Sequence, residues 1–192
     1  MFFSAVFAGM LIGVGCIVYL SLGGAIGATL FSIGLLSILH LRLDLFTGRA
    51  GKLVTHDISI SSLLVIFCGN IIGTILMAIL AKYAMQLPIS ADIIVANRNS
   101  LTVPEAIFRG VNCGILMFIA TSNAPSVLTI FCVTTFISCG FTHCIADSFY
   151  YTLASDFSNP IPFICTIIGN IIGCNIPPLI LNATRKDTKE RA

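Results

Sequence analysis

Six apolar runs, at 2–22, 25–41, 58–85, 104–121, 126–154 and 160–181, fill most of the 192-residue chain, and polar and charged residues gather between them. Runs of this kind approach or exceed the roughly 20 residues an α-helix needs to cross a bilayer. The pattern therefore predicts an all-α membrane protein of six transmembrane helices. Two connections are longer than the rest: the charged, glycine-containing 40–53 and the polar 88–103. The fifth run carries Ser138-Cys139-Gly140 just before His143, with Asp147 four residues further on. A helix break at that depth is tolerated only where the freed backbone lines a cavity or is buried in protein. Ionisable side chains there mark, by default, a path for ions or protons.

The runs repeat. Gly69-Asn70-Ile71-Ile72-Gly73 in the third returns as Gly169-Asn170-Ile171-Ile172-Gly173 in the sixth, and Phe7-x-Gly9-x-x-x-Gly13 in the first is echoed by Phe108-x-Gly110-x-x-x-Gly114 in the fourth. The second and fifth runs pair by elimination, each with an interrupted helix and a Phe-Thr dipeptide, Phe46-Thr47 and Phe141-Thr142. Three spans per repeat is an odd number, so the halves are expected to lie inverted in the bilayer. Inverted repeats with corresponding broken helices point to a binding site or pore near mid-membrane.

Composition narrows the class further. A chain with 57% hydrophobic and 9% charged residues and a mean hydropathy of +1.02 has no polar surface for a soluble globule. The net charge of +2, confined to ends and loops, excludes nucleic acid as a partner. Arg49, Lys52, Arg185, Lys186, Lys189 and Arg191 fall on the side of the termini, against Lys82 and Arg98 opposite, which predicts cytoplasmic termini and a cell-membrane location. No basic region precedes the first run, which reads as a retained span and not a cleaved signal. Residues 1–184 are read as one transmembrane domain and 185–192 as a charged, frayed tail. The eight cysteines lie in apolar runs without metal spacing and are read as small, buried and reduced. No nucleophile–base pair or ligand set is visible, so neither an enzyme nor a cofactor is expected.

Taken together, the motifs resemble those of the formate/nitrite transporter family of pentameric anion channels. Phe31-Ser32-Ile33-Gly34-Leu35 with Asp44-Leu45-Phe46-Thr47 is similar to that family's second helix and its interrupting loop. Gly140-Phe141-x-His143-x-Ile145-Ala146 is similar to its fifth-helix motif, and Asn159-Pro160-Ile161-Pro162 leading to Gly169 is similar to its sixth helix. The resemblance implies an aquaporin-like fold with helices 2 and 5 broken, one pore per protomer and a homopentamer in the lipid bilayer. It implies an apolar constriction at Leu45 on the cytoplasmic side and another at Phe31 and Phe136 on the other. It also implies that Thr47 bonds His143, and that Arg98 stands where the family has a vestibule lysine. Asp147 departs from the family's asparagine, His40 and Arg42 replace small or apolar residues, and the amphipathic helix that often precedes the first span has no counterpart before residue 2.

The function expected is passage of a small monovalent anion of a weak acid, formate or nitrite, with hydrosulfide, acetate or lactate as alternatives. Positive potential from Arg98 and the broken helices would gather the anion. An ion cannot cheaply shed its water to pass an apolar ring, so a proton from water or by way of His143 would let it cross as the neutral acid. Neutral-solute pores and non-transporting membrane subunits are the competing classes. Glu105 is expected to pair with Arg109; Asp147, one turn from His143, either forms an ion pair with it or stays protonated by desolvation, and Arg42 and Asp44 either pair locally or meet a neighbouring protomer.

Overall fold

Glycines spaced four apart decide which helices touch. In the computed structural model, which describes residues 1–87 and 89–190, ten helices follow one another: α1 (Phe2–Leu22), α2 (Gly24–Leu30), α3 (Ser32–His40), α4 (Phe46–Ala50), α5 (Ile60–Ala84), α6 (Ala91–Asn99), α7 (Val103–Thr121), α8 (Ser126–Ser138), α9 (Cys144–Ala154) and α10 (Ile161–Glu190). Among the described residues there is no strand. Among the described residues four helices are long and apolar enough to cross a membrane: α1, α5, α7 and residues Ile161–Thr184 of α10. α1 packs along α5 and α7 along α10. A Cβ on Gly73 would fall on the carbonyl of Val6, and one on Gly173 on that of Val111, so only glycine permits either approach.

These contacts show the repeat in a different register from its sequence echo. Gly9 faces the carbonyl of Asn70 as Gly114 faces that of Asn170, and Asn70 donates to Ala5 O as Asn170 donates to Gly110 O. Gly9 therefore corresponds to Gly114, one helical turn beyond the Gly110 that spacing indicates. Small residues every fourth position present the same face at every turn, so the spacing alone cannot fix the register.

The second and fifth runs break in the same way. α3 ends with Arg42 at φ 55, Leu43 N–H bonded to Ile38 O and Arg42 N–H to Leu39 O; α8 ends with Gly140 at φ 68, Phe141 N–H bonded to Phe136 O and Gly140 N–H to Ile137 O. Both are Schellman closures, in which a left-handed residue lets the chain turn back on the last carbonyls. Glycine takes that conformation freely, whereas Arg42 does so at a cost. The chain then enters α4 through Leu45 and α9 through His143, both extended N-caps. Leu45 thus matches His143 and Phe46 matches Cys144, so the two Phe-Thr dipeptides are not equivalent, contrary to expectation.

Each break is held by the asparagine of the repeated motif. Asn70 Oδ1 accepts from Phe46 N–H while its Nδ2 donates to Asp44 O and Ala5 O; Asn170 Oδ1 accepts from Cys144 N–H while its Nδ2 donates to Thr142 O and Gly110 O. Every bond is between 2.7 and 2.9 Å and both asparagines are fully buried.

Other expectations are corrected. Glu105 turns back to Thr102, accepting from its N–H at 2.9 Å and its hydroxyl at 2.7 Å in a capping box, and forms no ion pair with Arg109. Asp44 pairs with Arg49 at 2.6 Å and not with Arg42, because α4 folds Arg49 back over it. Cys68 and Cys139 are exposed, whereas the other six cysteines are buried. The connection 88–103 contains α6, whose start is marked by Ser90 accepting from Asp92 N–H. The tail expected at 185–192 continues α10 to Glu190, and residues 191 and 192 lie outside the described residues.

Asn170→Ala, or Asn70→Ala, removes a side-chain partner from three backbone groups at once and is expected to destabilise the protein by about 3 kcal/mol. Thermal unfolding in detergent measures this, and an unchanged midpoint in both variants would show that the cradles do not hold the breaks.

Candidate functional site

Two recesses enter the bundle from opposite ends. One, of about 150 Å³, is lined by residues closing α3 and opening α4, among them Arg42, Leu45 and Lys52; its turn is tied to the start of α1, where Asp44 N–H bonds Ser4 Oγ at 3.0 Å. The other, of about 170 Å³, is lined by Phe31, Arg98, Phe136, His143 and Asp147, together with Tyr19 from the far end of α1. Ser4 and Tyr19 are fifteen helical residues apart, about 22 Å along the axis. Thr47 lies between the recesses: its neighbours Leu45 and Gly48 line the first, and its hydroxyl meets His143 in the second.

His143 has both ring nitrogens committed. As N-cap of α9 its Nδ1 accepts from Ala146 N–H at 3.2 Å, and its Nε2 stands 3.0 Å from Thr47 Oγ1. Nδ1 can accept only through a lone pair, so the network assigns the proton to Nε2, which donates to Thr47. The ring is therefore the neutral Nε2–H tautomer, and a second ring proton is incompatible with the cap. Phe136 stacks on it at 5.7 Å and 26°, and Phe31 meets Phe136 edge-on at 6.0 Å. Phe31, Phe136 and Leu45 are all buried.

Asp147 does not reach His143. Its Oδ1 takes Arg98 Nε at 3.1 Å, and Arg98 Nη1 also donates to Gly140 O at 3.3 Å, so α6 is clasped to the broken end of α8 and to the first turn of α9. Arg98 and Asp147 retain only 15% and 3% of their side-chain exposure, which makes this a sequestered pair and not two free charges. Sequence reasoning could not join residues 49 positions apart without α6; Ser90, a strong N-cap residue, was the signal for that helix. Tyr19, Asn97 and Tyr150 also line the recess, and nothing in their sequence context set them apart.

An all-helical apolar chain whose broken helices meet at a buried histidine between two recesses belongs to the multi-pass membrane transport proteins. The family model described as formate/nitrite transporter matches residues 1–182, and the chain belongs to that family. Among solved structures, it resembles one described as a pentameric formate channel with formate bound, with a TM-score of 0.76, 21% identity and 96% of both chains covered. It also resembles one described as an FNT family ion channel, with a TM-score of 0.74, 19% identity, and 91% of this chain and 85% of that one covered. Comparison with curated proteins returned no match.

Nitrogen NMR of histidine-labelled protein at neutral pH is expected to show His143 with a protonated Nε2 and a bare Nδ1. The opposite tautomer would mean that the ring does not cap α9.

Proposed function

We propose that the protein is a homopentameric channel for a small monovalent weak-acid anion, formate or nitrite. In this reading each protomer crosses the membrane six times as two inverted three-helix repeats, α2–α4 and α8–α9 forming the broken crossings, with both termini in the cytoplasm. The observation that carries it is the Thr47–His143 pair, buried between two recesses that open at opposite ends. The formate-bound pentameric channel of similar fold supports both substrate class and assembly.

The chemistry follows from desolvation. A small anion in either recess meets an apolar closure, Leu45 on one side and Phe31 with Phe136 on the other, and stripping its water there costs several kcal/mol or more. One group between the closures offsets that cost for a neutral acid, which needs only a hydrogen-bond partner: the Thr47 hydroxyl, whose oxygen accepts the His143 Nε2–H and whose own hydrogen is left to donate. The proton that neutralises the anion comes from water in the recess, because a neutral His143 with its Nδ1 capped has none to spare without releasing α9. His143 acts in this reading as a donor of hydrogen bonds and keeps its own proton.

Flux of formate, nitrite, hydrosulfide, acetate and lactate into proteoliposomes at two pH values tests the proposal. Formate or nitrite is expected to lead, with flux rising as pH falls because the neutral acid becomes more abundant. His143→Phe is expected to lower flux at least tenfold while leaving assembly intact; unchanged flux removes the histidine from the path. Leu45→Ala or Phe136→Ala should raise the lactate-to-formate ratio, and a fixed ratio in both would show that neither side chain is a barrier.

A further inference from the structure

We propose that the recess on the side of the chain termini is an anion-loading site built by Arg42 and Lys52, and that the two mouths of the pathway therefore bind a small carboxylate or nitrite with unequal affinity. The inference rests on the channel reading above and adds a site to it.

The charges decide it. Arg42, Arg49 and Lys52 line the terminal-side recess, and Asp44 is bound to Arg49 at its edge. Three cations against one carboxylate leave a formal +2. Among residues 1–87 and 89–184 no carboxylate lies within ion-pair distance of Arg42 or Lys52. Asp57, the other acid of that connection, is engaged by Thr55 Oγ1 at 2.6 Å and does not line the recess. In the opposite recess Arg98 and Asp147 cancel, and His143 is neutral.

The backbone reinforces this arrangement. Arg42 occupies the left-handed position that glycine fills at the equivalent Gly140, so the residue at that position carries a cation at one mouth and no side chain at the other, where the guanidinium of Arg109 comes within 3.7 Å of the place a Gly140 Cβ would take. The recess, at about 150 Å³, has room for a formate- or nitrite-sized anion with a few waters, and Leu45 is part of its lining. Two uncompensated cations beside an apolar lining focus field into the recess and concentrate anions there by about tenfold or more at low ionic strength. At the opposite mouth Arg98 is already engaged by Asp147 and Gly140 O, and Arg109, beside Gly140, lies outside the residues lining the recess.

Passive flow constrains how this asymmetry is read. The ratio of maximal flux to half-saturating concentration must be equal in the two directions, so unequal mouths appear in the half-saturation and the maximal flux separately.

The test uses purified full-length protein with a C-terminal tag, reconstituted into liposomes and sorted on the tag into termini-out and termini-in populations. Formate influx is measured in about 0.01 M and about 1 M salt, where the screening length falls from about 30 Å to about 3 Å. The half-saturating formate concentration is expected to be about tenfold lower in the termini-out population at low salt, and the two populations are expected to converge at high salt. Arg42→Gly with Lys52→Gln should remove the difference, and the glycine also relieves the left-handed strain, which separates lost charge from lost folding. Asp147→Asn should uncover Arg98 and lower half-saturation in the termini-in population. Equal half-saturation in the two wild-type populations at low salt, or a difference that survives the double variant, overturns the loading site. Absence of flux for formate and nitrite in both populations overturns the channel reading and this inference with it.

Discussion

A polypeptide inside a bilayer finds no water for its peptide groups, so each interruption of a helix must be answered by a partner from the protein itself. Here that demand falls on two asparagines. Asn70 and Asn170 each take one amide and one carbonyl from a break and one carbonyl from a neighbouring helix, and each stands in a Gly-Asn-Ile-Ile-Gly motif whose glycines let that helix close against it. Helix contact and loop closure are thus one device used twice. Without it Leu45 and His143 would have no fixed place, since both lie in the extended residues the asparagines secure.

The two copies of the device are put to different uses. At one break the residue entering the new helix is Leu45, which caps nothing and is simply apolar. At the other it is His143, which caps α9 through one nitrogen and reaches across to Thr47 of the other break through the second. A pseudo-symmetric scaffold thereby supplies an apolar lining from one half and a polar centre from the other.

Much of this was legible in the sequence. Apolar runs located α1, α5 and α7 to within a few residues, though α10 continues past the end of its run, and a lone histidine near Gly140 marked the break, because neither feature depends on long-range packing. Three things were hidden for physical reasons. The Gly-x-x-x-Gly echo is degenerate by a turn, so spacing sets Gly9 against Gly110 whereas its structural equivalent is Gly114. α6 lacks an apolar face strong enough to stand out from its polar connection, and with it went the Arg98–Asp147 pair. Charge pairings read from spacing alone failed at Glu105, Asp44 and Asp147, because capping, a reversed turn and an occupied imidazole each offered a nearer alternative.

The hydrogen bonds through His143 all point one way. Ala146 N–H gives to Nδ1 and Nε2–H gives to Thr47 Oγ1, whose own hydrogen has no acceptor among the described residues. Such a series polarises cumulatively, each donor sharpening the next. The hydroxyl at its end is therefore more electrophilic than an isolated threonine, and its strength is set by the geometry of a peptide unit on the far side of the ring. A slight tilt of the first turn of α9 would act as a dimmer on that hydroxyl, changing its strength as a donor from the far side of the ring.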